Sequence, residues 1–172
     1  MAGSLEFIKS ANVTTSTATV NITDVFSADY DVYKITISDT HCSALSDNFA
    51  ARLIDSGGSQ VTTNYDYANH IMYDYSAFQE NRSTGQNRWH RIMNSGAITR
   101  QGGLVMYVFN PFSSSSYTFQ TSQTSNYDGS GNQGYKYIGV NKSTTSCTGI
   151  SFFDSGGVIT IENSNINVYG VK

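Results

Sequence analysis

Proline is almost absent from this chain: Pro111 is the single one in 172 residues. Cysteine is nearly as scarce, so Cys42 and Cys147 make no disulfide framework and read as two thiols or at most one bridge. Charged residues are 13% of the chain, about half the usual ~25%. That excludes a coiled coil or long helical bundle, which needs Glu, Lys, Leu and Ala in quantity. Basic residues are too few, 10 Lys+Arg against 13 Asp+Glu, to neutralise a run of phosphates, so no nucleic-acid partner is expected. No apolar run approaches the ~20 residues of a membrane helix, so no membrane insertion is expected either. The opening Met1–Lys9 has no basic start followed by an apolar stretch, so no secretory signal is read there. Also missing are the Gly-X-Ser-X-Gly elbow, His-Glu-X-X-His, a phosphate-binding glycine loop and Cys-X-X-Cys. These absences predict a protein that is not an enzyme and holds no cofactor and no metal.

Hydroxyl and amide side chains are abundant: 24 Ser, 18 Thr and 15 Asn make up a third of the chain. With 12 Tyr, 9 Phe and 1 Trp to bury, disorder is not expected. The length suits one domain, residues 1–172, which buries roughly 70% of the surface of its unfolded chain. Period-2 alternation recurs while helical periodicity hardly occurs. Thr17–Thr23 sets Ala18, Val20 and Ile22 on one face, and Tyr33, Ile35 and Ile37 alternate with polar residues in the same way. Weaker versions lie at Leu5–Ile8, Phe49–Ile54, Tyr117–Thr121, Tyr135–Val140, Ile150–Phe153, Val158–Ile161 and Ile166–Val171. Leu104–Phe109 is apolar throughout and reads as a central strand covered on both sides. Asp55-Ser-Gly-Gly58 and Asp154-Ser-Gly-Gly157 carry hairpin-turn chemistry, and Pro111 ends the preceding strand. About ten strands without helices predict an all-β, antiparallel β-sandwich of jelly-roll type. Its expected core includes Val20, Ile22, Tyr33, Ile35, Ile37, Leu53, Met106, Val108, Phe119, Ile138, Ile150, Phe152, Ile159, Ile161 and Val168.

Two stretches break the alternation and read as long functional connections: residues 62–100 and the polar, Gly-rich 122–134. The first alternates Tyr65, Tyr67, Tyr73 and Tyr75 with Asp66 and Asp74, then runs Arg88-Trp89-His90-Arg91. Aromatic rings offer flat faces to sugars, while Tyr and Arg also suit protein interfaces. The segment is therefore core, a subunit contact or a glycan groove. Tyr65, Tyr67, Tyr73, Tyr75, Arg88, Trp89, His90, Tyr127 and Asp128 are the candidate binding residues. Asp66, Asp74 and Glu80 are the carboxylates a glycosidase would need, and His41, Ser43 and Asp47 would supply a triad; ordinary surface roles are the better reading of both sets. His70, Asp74 and His90 lack metal-ligand spacing, and Asp128, Ser130 and Asn132 only begin a calcium-loop pattern. Nine of the thirteen acids lie between Asp24 and Glu80 and four of the five arginines between Arg82 and Arg100, a pattern that would steer pairing of adjacent copies.

Ser4–Ser10, Asp24–Lys34, Arg52–Gly58, Asn110–Phe119, Thr144–Ile150 and Val168–Lys172 resemble a group of short proteins encoded by tailed bacteriophages, marine cyanophages especially. The likeness spans nearly the whole chain. It implies a virion component made in the bacterial cytoplasm: a tail-fibre or appendage module, or a capsid decoration protein. It also implies a β-sandwich assembling as a homotrimer, with other virion proteins as partners and host surface glycan as a further one. The chain has no helical or collagen-like shaft, which favours a decoration or tip protein over a fibre. The alternative is a carbohydrate-binding module that uses the loop aromatics.

Overall fold

A computed structural model describes residues 4–44, 46–95, 102–157 and 159–172, with the backbone alone at 46–48 and 95. Every regular element among them is a strand: β1 Leu5–Val13, β2 Thr19–Ile22, β3 Val32–Cys42, β4 Ser46–Asp55, β5 Tyr65–Tyr73, β6 Gln79–Gln86, β7 Trp89–Ser95, β8 Gly102–Phe109, β9 Thr118–Tyr127, β10 Asn132–Asn141, β11 Cys147–Asp154 and β12 Ile161–Val171. All pairs are antiparallel. They form an eight-stranded sheet, β1-β12-β3-β8-β9-β10-β5-β6, and a four-stranded sheet, β2-β11-β4-β7. The protein is an all-β sandwich.

Alternation decides the inner layer. Tyr33, Ile35 and Ile37 on β3, Leu104, Met106 and Val108 on β8, and Ile166 and Val168 on β12 meet Val20, Ile22, Phe49, Leu53, Ile150 and Phe152 of the smaller sheet. Burying each such side chain is worth about 1.5–3 kcal/mol. The tyrosines tie the layers together through their hydroxyls. Tyr65 Oη accepts the Leu53 N–H at 2.9 Å and donates to the Val61 carbonyl at 3.1 Å. Tyr137 Oη donates to the His90 carbonyl at 3.0 Å. A phenol long enough to cross the core and satisfied by backbone at its tip meets the requirement that buried polar groups be bonded. Burial accordingly pushes both phenols well above their ordinary pKa.

The turns are as the sequence reads. Asp55 Oδ1 accepts the Gly57 and Ser59 N–H groups, each at 2.9 Å, and Gly58 sits at φ +82°. The first turn closes a short antiparallel pairing on β4, with an Ile54–Gln60 bridge and the Val61 N–H donating to the Leu53 carbonyl at 2.9 Å. The next full strand after each of the two turns, β5 and β12, belongs to the larger sheet. Pro111 follows the end of β8 as expected.

Four expectations are corrected. The stretch 62–100 is not a long connection: it contains β5, β6 and β7, with 96–100 outside the described residues. The stretch 122–134 completes β9 and begins β10, leaving only Asp128–Gly131 as a turn. Leu104–Phe109 is covered on one side only, because Val105, Tyr107 and Phe109 point away from the smaller sheet and Val105 is exposed. Phe119 and Ile138 are outside the core, 47% and 61% exposed, and Ala18 is exposed too. Val158 lies outside the described residues, and β12 begins at Ile161.

Candidate functional site

In the outermost four strands of the large sheet, β9-β10-β5-β6, the strand β9 reverses the usual arrangement of a half-buried strand. On β9 the inward side chains are Thr118, Gln120, Ser122 and Asn126, while Phe119 and Tyr127 face out. On β10 Tyr135 and Tyr137 are buried and Ile138 is exposed between Lys136 and Gly139. Because strand side chains alternate strictly, each polar residue committed to the interior of β9 forces its neighbour outward.

Register lines these outward residues up across the sheet. Leu5 pairs with Val171, Val171 with Val32, Val32 with Phe109, Phe109 with Phe119, Phe119 with Val140, and Val140 with Asp66. Six apolar residues on adjacent strands thus run across the outer face, with Phe7 beside them, 58% exposed and edge-on to Tyr169 at 5.8 Å. Such contiguous apolar surface marks a contact site more often than isolated exposed residues do.

At the β6 end this face becomes concave. Two adjoining depressions of about 690 and 620 Å³ share Ala68, Arg82 and Ile138. The larger is lined chiefly by Phe119, Ile138, Val140 and Ala68, the smaller by His70, Glu80, Arg82 and Lys136. Pairing of Ile138 with Ala68 and of Ala68 with Arg82 forms the shared floor. Asp66 is closed off: it bonds Lys142 at 2.9 Å and accepts the Gly85 N–H at 2.8 Å. The Lys142 bond, then the Gly85 bond, hold its carboxyl below the ordinary range.

The nine candidate binding residues do not form one surface. Tyr65 and Trp89 are fully buried core rings, edge-on at 5.3 Å, and are no platform for a ligand. Tyr67 is half-buried and stacks on Tyr137 at 5.6 Å, with the His90 ring at 6.3 Å. His90 Nδ1 also hydrogen-bonds Ser155 Oγ at 2.9 Å. Arg88 is partly exposed beside Trp89. Tyr73, Tyr75 and Asp128 do gather, at the tip where the β9–β10 turn meets the end of β5, and Tyr127 is exposed at the last position of β9. Tyr75 Oη donates to Asp128, whose other oxygen accepts the Ser130 and Gly131 N–H groups at 2.9 and 3.2 Å. Desolvation opposes ionisation of Asp128, but these bonds outweigh it and hold the carboxyl below its ordinary pKa. Its oxygens therefore close a turn.

Among the described residues no three His, Cys, Asp or Glu side chains gather as a metal site. His70 lies on the outer face while His90 packs on the inner side, and Asp74 accepts the Asn132 N–H at 3.0 Å. His41 faces Glu162 at 3.8 Å and Ser43 Oγ accepts the Thr160 N–H; the Asp47 side chain lies outside the described residues. Both thiols are buried, and burial pushes Cys147 up to about 12. The groove residues Phe119, Ile138, Arg82 and Lys136 were missed as a set. The available signal was the inward Gln-X-Ser-X-X-X-Asn pattern of β9, which leaves Phe119 no inward place.

No protein-family model matches the chain, and no curated protein is significantly similar to it. Among solved structures it is similar to a chain described as infectious bursal disease virus, Gx strain, at 10% identity and a TM-score of 0.16. That alignment takes in 97% of this chain but 36% of the viral one. Similarity at this level carries no argument about fold or function.

Proposed function

We propose that this chain is a non-enzymatic structural protein of a bacteriophage particle, displayed on the capsid surface or at a tail appendage and assembled as a homotrimer. One observation carries the reading: a row of apolar side chains crosses the outer face of the large sheet from Leu5 on β1 to Val140 on β10, with Leu5 and Phe119 exposed and Val171, Val32, Phe109 and Val140 half-buried between and beside them. A monomer with a solvated outer face has no use for Phe7, Phe109 and Phe119 in that position, whereas a subunit does. The β1-β12-β3-β8 half, where Phe7 and Tyr169 stand, is the part assigned to contact with a second copy.

The sequence resemblance supports the phage assignment, and the strand order supports a jelly roll. With β5-β6 and β9-β10 set aside, the remaining strands pair as β1 with β12, β2 with β11, β3 with β8 and β4 with β7. This is the nested pairing of one long hairpin wrapped around a core, with two hairpins added at one edge. The acids available for catalysis favour a passive role, since Asp66 and Asp74 are occupied by Lys142, Gly85 and Asn132.

Gold-labelled antibody against the chain, imaged on assembled particles, tests the assignment. Label at a regular particle position is the expected result. Unlabelled particles, together with a purely monomeric mass in solution, would sink it.

A further inference from the structure

The groove at the β6 end of the outer face differs from the rest of that face in carrying unpaired charge beside its apolar floor. Arg82 and Lys136 are exposed, and neither side chain forms a hydrogen bond or ion pair with another described residue. Of the acids nearby, Asp66 is neutralised by Lys142. Glu80 stands at the far end opposite His70, whose ring lies edge-on to Phe78 at 5.2 Å. Two uncompensated cations therefore face one uncompensated carboxylate.

The apolar part is small and interrupted. Phe119 supplies one aromatic face and Ile138 one aliphatic ridge, with the hydroxyls of Ser83 and Thr84 along the β6 side. Strand spacing sets Ile138, Ala68 and Arg82 at steps of about 4.8 Å, and Lys136 lies about 6.8 Å along β10 from Ile138. A ligand that suits this surface has short C–H faces, hydroxyls between them, and negative charge toward the Arg82–Lys136 side. A lipid tail would leave the hydroxyls and cations unpaired, and a neutral sugar would leave the cations unused.

We propose that this groove binds a saccharide chain bearing carboxylates, that is, a uronic-acid-containing polymer. Phe119 and Ile138 take the C–H faces of the sugar rings, and Arg82, with its planar fork, and Lys136 take the carboxylates. The assignment deepens the reading of a particle protein that meets host glycan and rests on it. It moves the contact from the tyrosines of residues 65–75 to the open face of the sheet.

Purified full-length chain is titrated by calorimetry with oligomers of galacturonate, alginate and hyaluronate, and with methyl-esterified oligogalacturonate as the uncharged match. At least one acidic oligomer is expected to bind. Esterification, Arg82→Ala or Lys136→Ala should each weaken binding about tenfold or more, Phe119→Ala should weaken it, and Lys34→Ala should leave it unchanged. Binding should also weaken with added salt. Circular dichroism and the thermal midpoint of each variant establish that it is folded, and all four positions lie outside the core.

Absence of binding by all three acidic oligomers overturns the proposal. So does equal affinity for the ester, equal affinity for polyglutamate, or indifference to the Arg82→Ala, Lys136→Ala pair. A change of oligomeric mass in the groove variants also overturns it, since the groove would then be covered by a second copy. These measurements use isolated protein, so their failure is distinct from failure of the particle assignment, which the antibody label reads.

Discussion

Gly139 shows how closely the two sheets approach. A Cβ built there would stand 2.7 Å from Trp89 Nε1 and 2.8 Å from Trp89 Cδ1, inside the contact distance of any real side chain. Gly139→Ala is therefore expected to cost about 1–3 kcal/mol in urea denaturation. Trp89→Ala empties the same site and should cost about 3–5 kcal/mol. Acid sensitivity belongs to this scale as well. Asp66 and Asp128 both have pKa values lower in the folded chain than in the unfolded one, so the unfolded state takes up protons first. Their stabilisation is complete above the ordinary carboxylate value of about 3.9 and is lost as pH falls through the depressed native values. Thermal midpoints measured from pH 5 to pH 2 should fall, and Asp66→Asn should flatten the fall.

β9 is the strand in which burial and chemistry disagree. Gln120, Ser122 and Asn126 are buried, yet both amide atoms of Gln120, the hydroxyl of Ser122 and both amide atoms of Asn126 have no hydrogen-bond partner among the described residues. A buried polar group without a partner costs about 1–3 kcal/mol. Ser122→Ala is thus expected to raise stability by up to about 1 kcal/mol, measured by urea denaturation. The outward residues of β9 and its neighbour β10 predict the opposite of what their types suggest. Phe119→Thr and Ile138→Thr should change stability by no more than about 0.5–1 kcal/mol, since neither side chain fills core space. A loss of about 3 kcal/mol at either position would return it to the core. That these strands keep costly amides inside and apolar groups outside is the argument that their outer face serves contact.

For the whole molecule, the two edges of the large sheet and its apolar outer face govern association. The large sheet ends at β1 on one side and β6 on the other. β6, Gln79–Gln86, is polar throughout and carries Glu80 and Arg82, a composition that discourages further strand addition. β1 carries Leu5 and Phe7 with a register shift after Phe7, which interrupts the ladder but leaves the ring exposed. Association is therefore expected through the face, beginning at β1, and native mass spectrometry should find a trimer at micromolar concentration. Phe7→Glu should shift that population to monomer while the circular dichroism stays that of a β-protein. A trimer indifferent to Phe7→Glu would place the contact elsewhere.

Alternation was enough for the sandwich and most of the central core, because a pleated strand with one dry face must repeat every two residues, while the Asp-Ser-Gly-Gly turns and the strand end before Pro111 followed from local Asp, Gly and Pro chemistry. Tyr33, Ile35 and Ile37 are buried as that period requires. The period says that a face exists but not whether another layer covers it. Leu104–Phe109 looks doubly covered and is not, and Phe119 and Ile138 look like core and line a groove. The tyrosines of residues 65–75 read as loop because Asp alternates with Tyr, yet the Asp66 side is simply the outer face of β5, with Tyr65 bonded across the core to β4. Which strands became neighbours, how far the smaller sheet reaches, and hence which apolar residues remain uncovered depend on pairings between residues as much as 166 positions apart, such as Leu5 with Val171. Contacts of that range leave no local period in the chain, and here they create the groove.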